Sequence, residues 1–458
     1  MNEVLSLGEV VRPNRPRVKP ESMPDAPFIG MEHVEAHTMK LLGTVPAATM
    51  KSSAVHFKPG DVLYGRLRPY LNKVFRPTFE GLCSAEFIVF PENERIDGRY
   101  LQYFLNSGTF VRFATHLNAG DRPRVDFDQI APYPIPVPTL ERQREIVAEL
   151  EKQFSRLDEA VANLQRVKAN LKRYKASVLK AAVEGRLVET EATLARREGR
   201  AYETGEQLLQ RILEERRVNW AGKRKYREPV TPETEALSEL PEGWVWASPE
   251  QVSAGEPYSL AIGPFGSSLK VSDYKTEGVP LVFVRNIRSG SFGGENTVYV
   301  TADKAVELSA HSVEAGDILV TKMGDPPGDV CRYPANRPPA VITADCIKLR
   351  VIKLGIDPSF IEYAMASRVV QDQILGITKG VAQLKVNLAN FSSIALPVPP
   401  HAEQARIVVE VDRHLSIIRE VEAEVDANLQ RAQALRQSVL QRDFSTASPN
   451  ADALQPTH

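Results

Sequence analysis

Apolar residues recur every three or four positions through two long stretches of this chain. In the first stretch one column runs Leu150, Leu157, Leu164, Leu171 and Val178, and a second begins Val147, Phe154, Val161 before turning polar at Lys168 and Lys175. In the second stretch the corresponding column is Val411, Ile418, Val425, Ala432 and Val439, with Leu415 and Leu429 beside it. Such spacing, sustained this long, predicts two helices with a coiled-coil-like seam, and these columns are its expected core. The first helix is predicted from about Thr139 to Val183, roughly 65–70 Å at 1.5 Å per residue. Its acids (Glu141, Glu145, Glu149, Glu151) come early and its bases (Arg166, Lys168, Lys172, Arg173, Lys175) come late, which suits the helix dipole. A lone rod of that length would expose its apolar stripe, so it needs a partner, and the second stretch is the obvious one.

The two stretches belong to an internal repeat. The segment from Ile135, IPVPTLERQREIVAELEKQF, aligns without gaps on LPVPPHAEQARIVVEVDRHL from Leu396. Pro136 matches Pro397, Pro138 matches Pro399, Gln143 matches Gln404, and Ser177-Val178-Leu179 matches Ser438-Val439-Leu440. One register over so many positions is a duplication, not chance. Each copy opens with a Pro-x-Pro step, which suits an extended strand that cannot continue as helix. Upstream the likeness is weaker but keeps its order. Gly60-Asp61-Val62-Leu63 resembles Gly316-Asp317-Ile318-Leu319, Tyr100-Leu101-Gln102-Tyr103 resembles Phe360-Ile361-Glu362-Tyr363, and Pro27-Phe28-Ile29 resembles Pro280-Leu281-Val282.

The chain therefore reads as variable domain, helix, variable domain, helix. Short β-branched runs such as VPLVFVRNI and GDILVTKM, broken by Gly and Pro, predict α/β (α+β) globular domains with a twisted sheet. The expected divisions are a first recognition domain at 1–138, a spacer helix at 139–185 and a connector at 186–243. A second recognition domain at 244–399, a second spacer helix at 400–444 and a disordered tail at 445–458 follow.

Composition narrows the functional classes. The net charge is −1 over 458 residues, so any surface for nucleic acid has to come from local clusters of Lys and Arg. Three cysteines without a CxxC pair exclude zinc ribbons and disulfide scaffolds and suit a reducing cytosol. The start of the chain does not read as a signal peptide, and no apolar run is long enough for a membrane span, so a cytoplasmic protein with no membrane partner is expected. There is no GxxxxGK[ST] loop for nucleotide hydrolysis and no HExxH. His33 and His37 have the spacing of zinc ligands on a helix but lack a third ligand nearby, so no metal is expected. Asp325-Pro326-Pro327-Gly328 resembles an adenine methyltransferase motif except that Gly328 stands where an aromatic ring would stack the base; it reads as a turn.

The proline step, Arg-Gln or Glu-Gln, Ile-Val, long helix and Ser-Val-Leu occur twice. Together with ILEERRVNW, KYREP and LPEGWVW in the connector and GPFGSSLK at Gly263–Lys270, this pattern resembles type I restriction-modification specificity subunits over nearly the whole chain. The first half departs from the pattern, since it lacks an LPEGW-type lead-in and begins abruptly near Leu5. The resemblance implies a non-catalytic, sequence-specific DNA-binding subunit in which each domain reads one half of a bipartite asymmetric target. It implies antiparallel helices that set the gap and dock two DNA methyltransferase subunits, and restriction/translocase subunits that join them. No cofactor is expected in this chain; S-adenosylmethionine, ATP and Mg are expected on the partner subunits. A methyltransferase or nuclease acting alone and a coiled-coil adaptor without DNA recognition are the competing readings. The lack of cofactor motifs opposes the first, and two Gly-rich, Arg-bearing domains oppose the second.

Contacts to double-stranded DNA need cations against phosphate and side chains at base edges. In the first domain the candidates are Arg66, Arg68 and Lys73 in GRLRPYLNK, and Arg122 and Arg124 in AGDRPRVDF. In the second they are Ser267, Ser268 and Lys270, then Arg285, Asn286 and Arg288, then Lys322, and finally Lys379, Gln383 and Lys385 in TKGVAQLKVN. The loops GDRPR and KGVAQLK hold equivalent places before the Pro-x-Pro step and are the best candidates. Any single cation among them equally fits a solvated charged face.

Overall fold

The computed structural model describes residues 3–13, 15–118, 120–220, 225–288, 290–380 and 384–445. Gln383, and the expected tail beyond its first residue, lie outside them. Two compact units divide the chain: Met1–Val167 with Glu424–His458, and Lys168–Ala423. Each long helix is thus shared between the units. The first spans Leu140–Val183 and the second His401–Ser445.

In the first unit, Glu3–Ser6 pairs antiparallel with Pro134–Val137, the strand of the first Pro-x-Pro step. The main sheet orders Arg17–Val18, Ala54–Phe57, Gly81–Ser84, Pro27–Ile29 and Val45–Pro46. A second sheet places Val62–Gly65 between Val74–Phe75 and Phe87–Phe90. Helices Gly98–Asn106 and Gly108–His116 close the domain. Their core includes Tyr64, Phe90, Tyr100, Phe104 and Phe110, joined by Val147, Leu150 and Phe154 of the first long helix and Leu440 and Phe444 of the second. Within this unit the start of one long helix therefore packs with the end of the other.

The second unit repeats the plan. Val245–Ala247 pairs with Leu396–Val398, and Val279–Val282 runs parallel to Ala340–Ile342 as Pro27–Ile29 does to Gly81–Ser84. Ile318–Thr321 lies between Val330–Arg332 and Cys346–Leu349, with Leu260–Ile262 on the far edge. Helices Pro358–Ala366 and Arg368–Gly376 correspond to the pair in the first unit. Val178, Leu179, Ala182 and Val183 from the end of the first long helix, and Ile407 and Val411 from the start of the second, enter this core. The connector helices Glu191–Glu198 and Gly205–Val218 also belong to this unit, and Leu208, Leu209 and Ile212 pack in the same core.

The repeated residues have identical duties. Gln143 and Gln404 are fully buried. Gln143 Nε2 donates to the carbonyls of Pro138 at 2.8 Å and Arg95 at 3.2 Å, and its Oε1 accepts the N–H of Asp97 at 2.8 Å. Gln404 donates to Pro399 at 3.0 Å and Gly355 at 3.1 Å and accepts from Asp357 at 2.8 Å. Asp97 and Asp357 cap the two equivalent helices. Asp61 and Asp317 are both buried, and each is clamped by an arginine from a different place in sequence, Arg15 in one unit and Arg350 in the other.

Several expectations are corrected. Of the seam residues, Leu150, Val178, Val411, Ile418 and Val425 are buried, but Leu157, Leu164, Leu171 and Val439 are only half-buried. The heptad fixes which face turns inward; depth depends on what covers it, and Leu157, Leu164 and Leu171 belong to neither core, while Val439 packs at the margin of the first unit's. At Val439 the deep position passes to Leu440. His33 sits in a 3-10 turn and its Nδ1 accepts the Gly30 N–H, while His37 is in a left-handed turn, so the two do not share a helix face.

Candidate nucleic-acid interface

In each domain two of the candidate loops come together as one structure. In the first unit the strand Val62–Gly65 ends at Arg66, whose N–H donates to the Glu86 carbonyl at 2.9 Å. The Arg66 carbonyl accepts the N–H of Val125 at 3.0 Å, and Arg68 N–H donates to Pro123 at 2.7 Å. GRLR is thus zipped to the loop DRPRV. In the second unit Lys322 holds the same node: its N–H donates to Asp345 at 2.8 Å, and its carbonyl accepts Val386 at 2.9 Å. Met323 and Gly324 then pair antiparallel with Lys385 and Leu384, and Lys379 pairs with Lys385. Backbone pairing fixes these cations at one edge of each domain, which a pair of free loops could not do.

The side chains differ in freedom. Arg66 forms an ion pair with Asp126 and Arg124 one with Glu86. Burial, then the neighbouring charges of Arg124 and Arg17, lower the Arg66 pKa, although a guanidinium stays charged. These carboxylates hold the two arginines in place at the edge of the domain. Arg122 is exposed, as are Lys379 and Lys385. Arg68 is half-buried and adopts a positive φ of 52°. Ser267, Ser268 and Lys270 are exposed on the glycine-rich loop. Arg285 lies 4.1 Å over the Phe283 ring and donates to the Asn296 carbonyl, and exposed Arg288 pairs with Glu295 at 2.8 Å.

Three candidates are turned to structural work. Asn286 is buried, accepting the Phe283 N–H and donating to the Gly293 carbonyl, each at 2.8 Å. Lys73 Nζ donates to the Met31 carbonyl at 2.6 Å, and Lys322 Nζ to Ala344 at 3.2 Å. Arg17 is not among the candidates from sequence, yet its charge acts on Arg66 and it lines the groove beside Arg66, Phe87 and Asp126. Its alternation with Arg15 in PNRPR is the signal that could have found it. Asp325–Gly328 forms the loop between two antiparallel strands, with Gly328 N–H held by Thr321. No helix among the described residues is long and apolar enough to cross a membrane.

The chain is thus a duplicated α/β domain with basic loops at an equivalent edge of each copy, and segments of both long helices enter each core. The family model described as type I restriction modification DNA specificity domain matches residues 2–172 and 287–430. The EcoDI specificity subunit of Escherichia coli is 30% identical over 173 residues, covering 37% of this chain and 38% of the relative. The EcoKI specificity subunit of Escherichia coli K12 is 27% identical over 208 residues, covering 45% and 43%. The chain thus spans less than half the length of these two curated relatives in its matches. A solved structure titled for complex assembly and conformational transition of the type I R-M system superposes with TM-score 0.65 at 19% identity, covering 97% of both chains. This chain belongs to the type I restriction-modification DNA specificity domain family.

Proposed function

We propose that this chain is a non-catalytic DNA-reading subunit of a type I restriction-modification complex, each unit reading one half of a bipartite, asymmetric target. The observation that carries the reading is the shared node: Arg66 zipped to Val125 in one unit and Lys322 zipped to Val386 in the other. Both nodes present basic loops, Arg122–Arg124 and Lys379–Lys385, that are equivalent in place and different in sequence. Equal frames position the cations on phosphate, and unequal loops read different bases. The long helices set the separation of the half-sites and dock two methyltransferase subunits, which restriction/translocase subunits join. The S-adenosylmethionine, ATP and Mg chemistry belongs to those partners. The names of the relatives and the cytoplasmic reading from the sequence support this assignment.

The test is co-expression with the cognate methyltransferase, followed by methylation profiling and binding titrations at several salt concentrations. A two-part methylated sequence and an affinity that falls steeply with salt are expected. A salt-independent affinity, or methylation without a bipartite site, would overturn the proposal.

A further inference from the structure

Beside the cationic node of the second unit stands a loop with a different chemistry. The edge strand Leu260–Ile262 pairs with Cys346–Leu349 and ends at Gly263, whose N–H donates to the Cys346 carbonyl at 3.2 Å. Gly263 is pressed so closely on Thr343 and Ala344 that an added methyl group would overlap the Thr343 carbonyl. The root of the loop is therefore fixed, and it rests one residue from the carbonyl of Ala344 that holds the Lys322 ammonium. From this root the chain turns outward, closed by a 2.8 Å bond from Ser268 N–H to the Phe265 carbonyl. At the tip the Phe265 ring is 73% exposed. Ser267, Ser268 and Lys270 flank it, all exposed, and the nearest carboxylate that follows, Asp273, is engaged by the Lys270 backbone N–H at 2.8 Å. In the first unit the groove beside the Arg66 node is lined instead by Arg15, Arg17 and Arg66 among others.

We infer that Phe265 is an apolar wedge that enters a base step of the half-site read by the second unit. The inference rests on the DNA-reading role proposed above and names a specificity-determining residue within it. A rigidly rooted aromatic tip, with hydroxyls and a lysine placed for the flanking phosphates, is the construction a base-step wedge requires. A protein partner is the other occupant an exposed ring can have; the Lys270 ammonium, the two serine hydroxyls and the place of the loop root beside the Lys322 node favour nucleic acid. The two units then read DNA by different means, arginines in one and an aromatic contact in the other.

The experiment uses the full chain assembled with its methyltransferase, on the target found by methylation profiling of the wild type. F265A is expected to lower affinity for that duplex about 10- to 100-fold, as the loss of a base–aromatic contact does. It should leave the affinity for random duplex and the salt slope unchanged and relax one half-site only, with F265W retaining most of the function. K270A should instead weaken both duplexes and reduce the slope. 2-Aminopurine placed along the half-site should brighten with wild type and F265W and stay dark with F265A. Wild-type affinity and an unchanged half-site in F265A would overturn the wedge alone. So would an affinity loss without brightening at any position of the wild-type half-site. Loss of methyltransferase subunits from F265A without DNA would show that the ring docks protein. A wild-type complex that binds no duplex would bring down the DNA-reading role itself.

Discussion

The side-chain oxygen of Gln404 accepts the backbone N–H of Asp357 at 2.8 Å, and Asp357 is the residue that caps the helix Pro358–Ala366. One buried carboxamide thus ties the start of the second long helix to the start of a domain helix, and Gln143 does the same through Asp97. The orientation of each long helix on its domain is set at this point.

Gln404→Ala strands the N–H of Asp357 and the carbonyl of Pro399, while the Gly355 carbonyl keeps His401 Nδ1 as a partner at 3.0 Å. With each unsatisfied buried group costing about 1–3 kcal/mol, the second unit should lose roughly 2–4 kcal/mol. All three tryptophans, Trp220, Trp244 and Trp246, lie in this unit, so the midpoint of denaturation followed by their fluorescence reports it. Gln143→Ala should leave that midpoint in place and lower only the transition of the first unit. A Gln404→Ala midpoint within 0.5 kcal/mol of wild type, about the size of an ordinary surface substitution, would refute the tie.

Lys348 gives a pH signature. It is 3% exposed in the strand Cys346–Leu349, with Nζ donating to the Ser312 carbonyl at 2.7 Å. Burial, and then the charge of Arg350, bring its pKa down to about 8. Between pH 8 and the ordinary lysine range the unfolded chain binds more protons than the folded one, so stability rises with pH through that window. Lys348→Met removes the contribution. Each tenfold loss of proton affinity on folding is worth about 1.4 kcal/mol, so wild type should gain on this variant by roughly 2–3 kcal/mol at most between about pH 7.5 and 10. The check is urea unfolding of both proteins across the range; parallel curves would mean that Lys348 titrates normally.

Arg66→Ala with Arg124→Ala removes the two cations of the first node and should harm one half-site only. If each meets a phosphate, the slope of log affinity against log salt should fall by about 2. Methylation profiling shows the half-site, and titrations show the slope. Equal damage to both half-sites would mean that the node does not belong to one recognition head.

Much of this plan was legible because duplication carries its own register. Pro27 matched Pro280 in the weaker upstream repeat, and Gln143 matched Gln404 near the two helix starts; that the proline segments pair parallel with a neighbouring strand is what the structure adds. What was not legible depends on distant partners. Arg66 and Arg124 sit in separate motifs, and only strand pairing brings them to one edge. Asn286 lies between two arginines and reads as a DNA ligand, yet its carboxamide closes a turn with Phe283 and Gly293. Leu157 and Leu164 share the heptad with Leu150, but periodicity says which face points inward and not how many neighbours cover it.

The end of the second long helix is the last element the first unit needs. Phe444 packs edge-on against Tyr100 and Phe104, with ring centroids 5.2 and 5.7 Å away, and Leu440 is fully buried beside them. Arg436 lies 4.3 Å over the Phe154 ring and donates to Asp158 at 2.7 Å, so a charged clasp closes the same packing. The first half of the chain is therefore incomplete without residues encoded at the far end. Phe444→Ala should destabilise the first unit by about 3–5 kcal/mol, the range for a buried phenylalanine. Deleting everything from Glu424 onward should do more, exposing the apolar faces of Leu150 and Phe154 together. The tryptophan transition of the second unit should stay where it was, because its own core draws on Val178–Val183 instead. Amide exchange in Gly98–Asn106 is the measurement: protection should be lost in the truncated chain and regained when a peptide of residues 424–445 is added. Full protection without the peptide would show that the first domain closes on its own, and that the second helix merely rests on it.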